Sequence, residues 1–321
     1  MQKGRAAFIA GFRSIEVREV ETVCGDDEVI VKVASCGLCN FELNHFKLIL
    51  GGGDGRIGHE AAGVIVEVGR NVIDWKIGDR VSASLILGSF ADYAAVPAAD
   101  LERIDDHIDL TKVLGEPLRC IITVVSAANP KPGDIGVIVG AGPMGLWCVQ
   151  ALSKGFLTEL IVIDINDDNL ALAAKMGATR TINSAKEDAV AKVSEYTGGR
   201  MADFCIEGTG VPEVLLPCAH YLRERGRLIL SSSHEREAKS ADLRLITGKG
   251  LTLHGAHPGY SADLRDDFVR AAAFINKGIF HMDDIITHTF GLSQIQQAFE
   301  TLDNKPKGYI KGIVVPELDL V

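Results

Sequence analysis

The chain has 321 residues, more than the ~250 at which a single hydrophobic core stops growing, so we expect two domains. With 47% apolar and 24% charged residues, it has the composition of a globular protein. The net charge of −10, without a Lys/Arg cluster, excludes a nucleic-acid surface. No apolar run approaches the ~18 residues of a membrane span, and seven cysteines are an odd, scattered number, so we expect a cytoplasmic protein with free thiols and no membrane partner.

The first hundred residues contain short segments in which apolar and polar residues alternate. Examples are "EVIVKVASC", "AAGVIVEVG" and "FADYAAVP", separated by Gly, Asp and Asn turns. Alternation with a period of two is typical of half-buried strands. We therefore predict a β-rich, partly barrel-like domain over residues 1–129.

From about Pro130 the pattern changes to alternating strands and helices. "IGVIVG" precedes a helical "PMGLWCVQALSKG", and "ELIVIDI" precedes "NLALAAKMGA". Such βαβ alternation predicts a doubly wound parallel sheet, over residues 130–265. Residues 266–321 have the pattern helix, strand, helix, strand, and we expect them to return to the first domain.

A glycine-rich turn follows the first apolar strand of this second domain. Gly140, Gly142 and Gly145 have the G-x-G-x-x-G spacing, with Pro143 and Met144 between them. Such a turn brings backbone and a helix N-terminus to a pyrophosphate. Asp164, about 20 residues further on, can accept hydrogen bonds from a ribose 2′-hydroxyl and repels a 2′-phosphate, which favours NAD over NADP. The alternative is a chance glycine turn followed by an acidic strand end.

Cysteine, histidine and carboxylate residues in the first domain suit a catalytic zinc site that keeps one position open. Cys36 and Cys39 are spaced like a redox or structural pair, whereas His59 is adjacent to Glu60, and Glu116 precedes a proline. Taken singly, each has a structural interpretation: a core thiol, a core histidine, or a carboxylate at the end of a loop.

The order of these elements resembles the zinc-dependent medium-chain dehydrogenases. C-x-x-E is followed by G-H-E-x-x-G, "GDRV", E-P-L and G-x-G-x-x-G, and the similarity extends over nearly the whole chain. Within this family, the E-P-L element is similar to that of the sorbitol, polyol and threonine dehydrogenase branch. The resemblance implies a GroES-like catalytic domain beside a Rossmann coenzyme domain.

The activity implied by this resemblance is hydride transfer between NAD and a small secondary alcohol, such as a polyol, sugar or related hydroxy compound. One alternative is a biosynthetic or redox-neutral enzyme that retains its NAD. Another is a non-catalytic NAD-binding protein. Relatives commonly join the edge strands of two nucleotide-binding sheets, which implies a homodimer or homotetramer here.

The resemblance also implies roles for individual residues. Cys39 and His59 would bind zinc, and Cys36 would be a packing residue. Glu60 and Glu116 would each be a zinc ligand or hydrogen-bond to a water at the metal. Residues expected near the nicotinamide ribose and carboxamide are Gly208, Thr209, Gly255 and Ala256.

Three departures from the family pattern are visible. Phe41 stands where relatives carry a Ser or Thr that relays the substrate proton. The relay is then expected to run through zinc-bound water and Glu60 or Glu116, or through His45 and Asn44, unless the site is inactive. The segment after "GDRV" lacks the four cysteines of a structural-zinc lobe, which predicts one zinc per chain. The interval from Cys39 to His59 contains "ILGGGDGRIG" and looks short, which could open one wall of the pocket.

Arg119 follows E-P-L and interrupts an apolar helix start. Its guanidinium could bind an acidic group of the substrate in the pocket. A structural carboxylate partner is the other interpretation.

Overall fold

The computed structural model describes residues 1–48, 55–84, 87–234, 236–237, 243–256 and 260–320. The chain forms two compact units, one of Met1–Leu118 with Phe268–Val321 and one of Arg119–Asp267. The predicted limits were 129/130 and 265/266. The predicted limits differ from the junctions between the two units because one helix runs across each junction.

The first unit is mostly strands, whereas strands and helices alternate in the second. Before the first junction the elements are β1 (Gln2–Gly11), β2 (Ser14–Thr22), β3 (Glu28–Gly37), α1 (Asn40–Phe46), β4 (Ala61–Val68), β5 (Arg80–Ala83), β6 (Tyr93–Pro97) and β7 (Leu101–Arg103), and α2 (Gly115–Ala128) crosses it. The second unit contains β8 (Ile135–Val139), α3 (Pro143–Ser153), β9 (Glu159–Asp164), α4 (Asp167–Met176), β10 (Arg180–Asn183), α5 (Ala189–Tyr196), β11 (Ala202–Glu207), α6 (Leu215–Tyr221), β12 (Leu222–Leu230), α7 (Leu243–Lys249) and β13 (Thr252–Gly255). The return consists of α8 (Leu264–Asn276), which crosses the second junction, β14 (Ile286–Phe290), α9 (Ile295–Asn304) and β15 (Lys311–Val314).

The first unit is built on a seven-stranded sheet in the order β14-β15-β3-β4-β5-β7, with β6 also paired to β3. The last strand lies next to the third, because β15 pairs antiparallel with β3 and brings Val314 opposite Cys36. Helix α9 buries Phe299 against Phe46 of α1, with ring centroids 5.5 Å apart. This packing fixes α1, which carries several site residues.

The second unit contains a parallel sheet in the order β10-β9-β8-β11-β12-β13. This is the strand order of the doubly wound dinucleotide-binding fold. Strand β8 lies in the middle of the sheet, and all five of its residues are buried, as its unbroken apolar sequence predicts. The predicted α/β fold class, a Rossmann-type sheet with a separate β-rich domain, is confirmed.

Within the described ranges, every helix is too short or too polar to cross a bilayer.

Candidate active site

Two overlapping groups of side chains in the first unit could hold a metal ion. Cys39, Glu42 and His59 form one group, and His59, Glu60 and Glu116 form the other. Within each group, the potential ligand atoms lie within 4.8 Å of one another. Each of the four predicted ligands belongs to at least one of these groups, and His59 belongs to both.

Helix α1 positions the first group. Cys39 is its N-cap, with extended backbone, and its Sγ accepts a hydrogen bond of 3.5 Å from the backbone N–H of Phe41. The residue three positions after an N-cap points back toward that cap. Glu42 has this position, so the same helical turn presents a sulfur and a fully buried carboxylate to His59.

The two ring nitrogens of His59 face different carboxylates. Its Nδ1 hydrogen-bonds to Oε1 of Glu42, and its Nε2 lies 3.6 Å from Oε2 of Glu116. A carboxylate on one ring nitrogen fixes the tautomer and leaves the other nitrogen free to coordinate a metal. Glu42 therefore orients Nε2 toward the second group.

Charge around His59 favours its protonated form in the metal-free protein. Burial alone would lower the pKa of His59, but the charge of Glu42 and hydrogen bonds with Cys39 and Glu42 raise that pKa to about 12. Burial raises the pKa of the Cys39 thiol, although its hydrogen bond with His59 opposes this. A metal must displace these protons, so its binding releases them.

Glu60 forms a buried ion pair with Lys311 of β15. The Nζ atom of Lys311 lies 2.9 Å and 2.6 Å from the two carboxylate oxygens of Glu60. Burial alone would lower the pKa of Lys311, but the charges of Glu60 and Cys39 raise it above its usual value, so the ammonium stays charged. Gly37 leaves room for this pair, because a Cβ there would overlap a carboxylate oxygen of Glu60.

Helix α2 supplies Glu116 in its first turn, and the side chain is 8% exposed. Arg119, one turn further on, is buried at 3% exposure and begins the second unit. The sequence interpretation that Arg119 binds substrate therefore remains a proposal.

Phe41 and His45 lie beside the metal-binding groups. The Phe41 ring meets the His59 ring edge-on at 5.5 Å and the His45 ring at 4.8 Å. The ring of His45 packs on Phe41, and the predicted catalytic role of His45 in a proton relay remains a proposal. The glycine-rich segment at residues 49–54 lies outside the described residues.

In the second unit, the predicted glycine turn connects β8 to α3. Gly140 has φ +98°, a left-handed conformation that favours glycine. Gly142 is the N-cap of α3, with Pro143 and Met144 in the first turn. A Cβ at Gly145 would overlap the carbonyl oxygen of Gly140, so this glycine allows the helix to pack closely on the turn.

Asp164 ends β9 beside that turn. Its two carboxylate oxygens accept hydrogen bonds from the backbone N–H groups of Ala141, at 2.6 Å, and Asn166, at 2.8 Å. A carboxylate can accept about four hydrogen bonds, so further donors can still bind. Asp164 is therefore held against the phosphate-binding turn.

The turn after β11 touches the glycine turn. A Cβ built at Gly140 would lie 3.0 Å from the side chain of Thr209 and 3.2 Å from the backbone of Gly208. Buried Glu207 accepts hydrogen bonds from the backbone N–H groups of Thr209, at 2.7 Å, and Gly210, at 3.1 Å, which fixes this turn.

The last pair of predicted cofactor residues ends β13. Gly255 closes that strand, and buried Ala256 donates its N–H to Leu230 of the neighbouring strand at 2.8 Å. Both residues therefore lie at the carboxyl end of a parallel strand, where ligands bind in this fold. His257, in the same sequence motif, lies outside the described residues.

Glu42 and Lys311 were not among the predicted site residues. The signal for Glu42 was present in C-x-x-E, because a carboxylate three residues after an N-cap faces the cap. No comparable signal marked Lys311, since a single lysine in a short strand is usually exposed.

Comparison with known proteins identifies the two domains of the chain. Residues 25–106 match the alcohol dehydrogenase GroES-like domain, and residues 143–277 match the zinc-binding dehydrogenase domain. An L-threonine 3-dehydrogenase of Bacillus velezensis is 26% identical, with 98% of this chain and 97% of that protein covered.

Solved structures agree with the domain matches. The 2R,3R-butanediol dehydrogenase from Bacillus subtilis superposes with a TM-score of 0.86 at 26% identity, covering 98% of this chain and 99% of that one. A zinc-binding dehydrogenase from Sinorhizobium meliloti, solved with NADP, gives 0.88 at 23% identity, covering 98% and 100%. With its cysteine, histidine and carboxylate cluster and its glycine turn, the chain belongs to the zinc-dependent medium-chain dehydrogenase family.

Proposed function

We propose that the protein is a zinc-assisted dehydrogenase that transfers hydride between NAD and a secondary alcohol, such as a polyol, sugar or related hydroxy compound. The observation that carries the proposal is that two groups of possible metal ligands, Cys39 with Glu42 and His59, and His59 with Glu60 and Glu116, share His59. Two similar proteins have names that indicate substrates of this kind: the butanediol dehydrogenase from Bacillus subtilis and the threonine dehydrogenase from Bacillus velezensis.

The donor set fits zinc. Thiolate, imidazole and carboxylate are the ligand types of zinc enzymes, and we propose Cys39 and His59 as ligands together with Glu60 or Glu116. Oε2 of Glu42 is buried and has no hydrogen-bond partner among the described residues, as expected for a carboxylate beside an ion site. A zinc ion bound here polarises the alcohol oxygen and lowers its pKa.

The protein residues supply orientation and charge balance. Glu42 holds the His59 ring, and Lys311 offsets one of the three carboxylate charges. Burial strengthens these interactions, because the low dielectric of the interior screens them less than water does. We propose one zinc per chain, bound at this cluster.

For the cofactor, we propose NAD bound at Gly140, Gly142 and Gly145 with Asp164 at the adenosine ribose. The next residues are Ile165, Asn166 and two acids, Asp167 and Asp168, so this segment offers no cation to a 2′-phosphate. The carboxylate of Asp164 at the ribose repels a 2′-phosphate, which favours NAD over NADP.

Replacing Asp164 with serine should shift cofactor preference from NAD toward NADP. The expected ratio of kcat/KM for NAD over NADP falls roughly tenfold or more, because one repulsive charge worth about 1.4 kcal/mol disappears. Steady-state kinetics with each cofactor measures this ratio of kcat/KM values. The control is Asp188→Ser, which removes an N-cap carboxylate from α5. An unchanged ratio in Asp164→Ser would contradict the assignment.

Metal analysis combined with an activity screen tests the proposed function. Purified protein should contain one zinc per chain and produce NADH, followed by absorbance, with at least one secondary alcohol. A chelator should abolish the activity, and added zinc should restore it. Metal-free protein with full activity, or zinc-loaded protein inactive on a broad panel of polyols, sugars and hydroxy acids, would contradict the proposal.

We also propose a cytoplasmic homodimer or homotetramer. β13 is the end strand of the described six-stranded sheet, and Leu253 on it is 39% exposed. An exposed edge strand is a template for pairing with a second copy. Light scattering coupled to gel filtration gives the mass, and a monomer would contradict this proposal. All seven cysteines are free, as expected in a reducing compartment.

A further inference from the structure

Phe41 is an exposed aromatic residue on α1, a helix in which four of the seven residues are buried. Its side chain is 44% exposed, whereas Glu42, Leu43, Asn44 and Phe46 on α1 are each less than 10% exposed. A phenylalanine gains stability by burial, so leaving this ring in solvent is unfavourable for the isolated protein. Phe41 lies two residues after the Cys39 N-cap and belongs to the candidate active site.

The ring is held in place on two sides. It meets the His59 ring at an interplanar angle of 85° and the His45 ring at 64°, both in edge-to-face geometry. Its backbone N–H is fixed on Cys39 Sγ. Phe41 therefore presents a preorganised apolar surface next to two of the proposed metal ligands.

This surface discriminates between substituents on a bound alcohol. A phenyl ring offers neither a hydrogen-bond donor nor an acceptor, so a hydroxyl placed on it loses water without a replacement partner. A methyl group in the same place covers the ring and leaves water. The expected discrimination is roughly tenfold or more per group.

We infer that Phe41 is a specificity-determining residue that seats an alkyl group on the carbinol carbon of the substrate. The substrate class is then a secondary alcohol with an apolar neighbour on one side, as in a methyl carbinol, rather than a fully hydroxylated polyol. This inference rests on the proposed dehydrogenase function and narrows it.

Two four-carbon alcohols provide a matched test. 2,3-Butanediol and erythritol share the central vicinal diol, and differ in having terminal methyl or terminal hydroxymethyl groups. The kcat/KM of the zinc-loaded protein with NAD should be at least about tenfold higher for 2,3-butanediol, summed over its stereoisomers, than for erythritol. Phe41→Ser should reduce that preference to within about threefold, because a hydroxyl can then pair with the terminal hydroxyl. Phe41→Leu should retain most of it.

A second readout does not depend on turnover. Saturation-transfer NMR, with irradiation of the aromatic protons of the zinc-loaded protein, should saturate the methyl protons of 2,3-butanediol. The signal should weaken in Phe41→Ser, which removes the apolar surface, and persist in Phe41→Leu, which keeps it. Phe156→Ser is the matched control, because Phe156 is 53% exposed but belongs to the second unit, whereas the metal-binding groups belong to the first. It should change neither the signal nor the preference.

The outcomes separate the two proposals. Erythritol oxidised as well as or better than 2,3-butanediol, or a preference unchanged in Phe41→Ser, would overturn the inference and leave the dehydrogenase function standing. Absence of oxidation with every secondary alcohol would overturn the proposed function. In that case, methyl saturation that is unchanged in Phe41→Ser would also overturn the inference, independently of catalysis.

Discussion

His59→Ala is expected to remove most of the bound zinc and to lower kcat/KM by roughly 100- to 1000-fold. His59 belongs to both metal-binding groups, so its loss removes a ligand shared by all the candidate arrangements. Metal polarisation contributes several kcal/mol to such reactions, and each ~1.4 kcal/mol corresponds to a factor of ten. Zinc content by mass spectrometry and alcohol-dependent NADH formation measure the two effects. His107→Ala, at an exposed loop histidine, is the matched control.

Glu42→Gln separates the orientation of the His59 ring from the strength with which that ring coordinates zinc. Glutamine keeps the shape and can still bind Nδ1 of His59, but it loses the charge that supports the imidazole as a ligand. Changes of this kind typically cost about 10- to 100-fold in metal affinity or activity. The expected result is weaker zinc binding with the site still formed.

For the His59→Ala variant, a zinc content equal to that of the wild type would show that the ion binds elsewhere.

Gly145→Ala is expected to cause a large loss of both stability and NAD binding. The added Cβ would overlap the carbonyl oxygen of Gly140, so the turn or the start of α3 must move. Overpacking against other side chains costs about 1–3 kcal/mol, and backbone gives way less readily. Thermal unfolding and NADH fluorescence titration measure the two losses.

Gly142→Ala is the comparison that tests the function of the turn. A Cβ at Gly142 meets nothing within 4 Å, so the melting temperature should stay near that of the wild type. Gly142 is nevertheless the position where backbone approaches a pyrophosphate, so NAD affinity should still fall. Unchanged NAD affinity in both variants would place the cofactor away from this turn.

The sequence predicted the dinucleotide fold because local signals coincide there. The apolar run of β8, the spacing of Gly140, Gly142 and Gly145, and the acid at Asp164 each restrict the same segment of about 30 residues. The junctions between the units were harder to predict. A helical pattern such as that of α2 is the same whether its residues pack in one unit or in two.

In the candidate active site, residues with ligand chemistry were identified more readily than those that support them. Cys39, His59 and Glu116 are recognisable from their side chains and order. Lys311 reaches Glu60 only because β15 pairs with β3, and strand pairing between distant segments is not encoded in local periodicity. The ring contacts that place His45 on Phe41 likewise depend on three-dimensional packing.

The pairing of β15 with β3 has a consequence for how the protein is made. The ribosome completes Arg119–Asp267, a continuous segment, before the strand that carries Lys311 emerges. Domains generally fold as units during synthesis, so the second unit can reach its native state while the first still lacks an interior strand. The charge that offsets Glu60 therefore arrives after the second unit has been made, and we expect the metal centre to mature only once β15 has paired with β3.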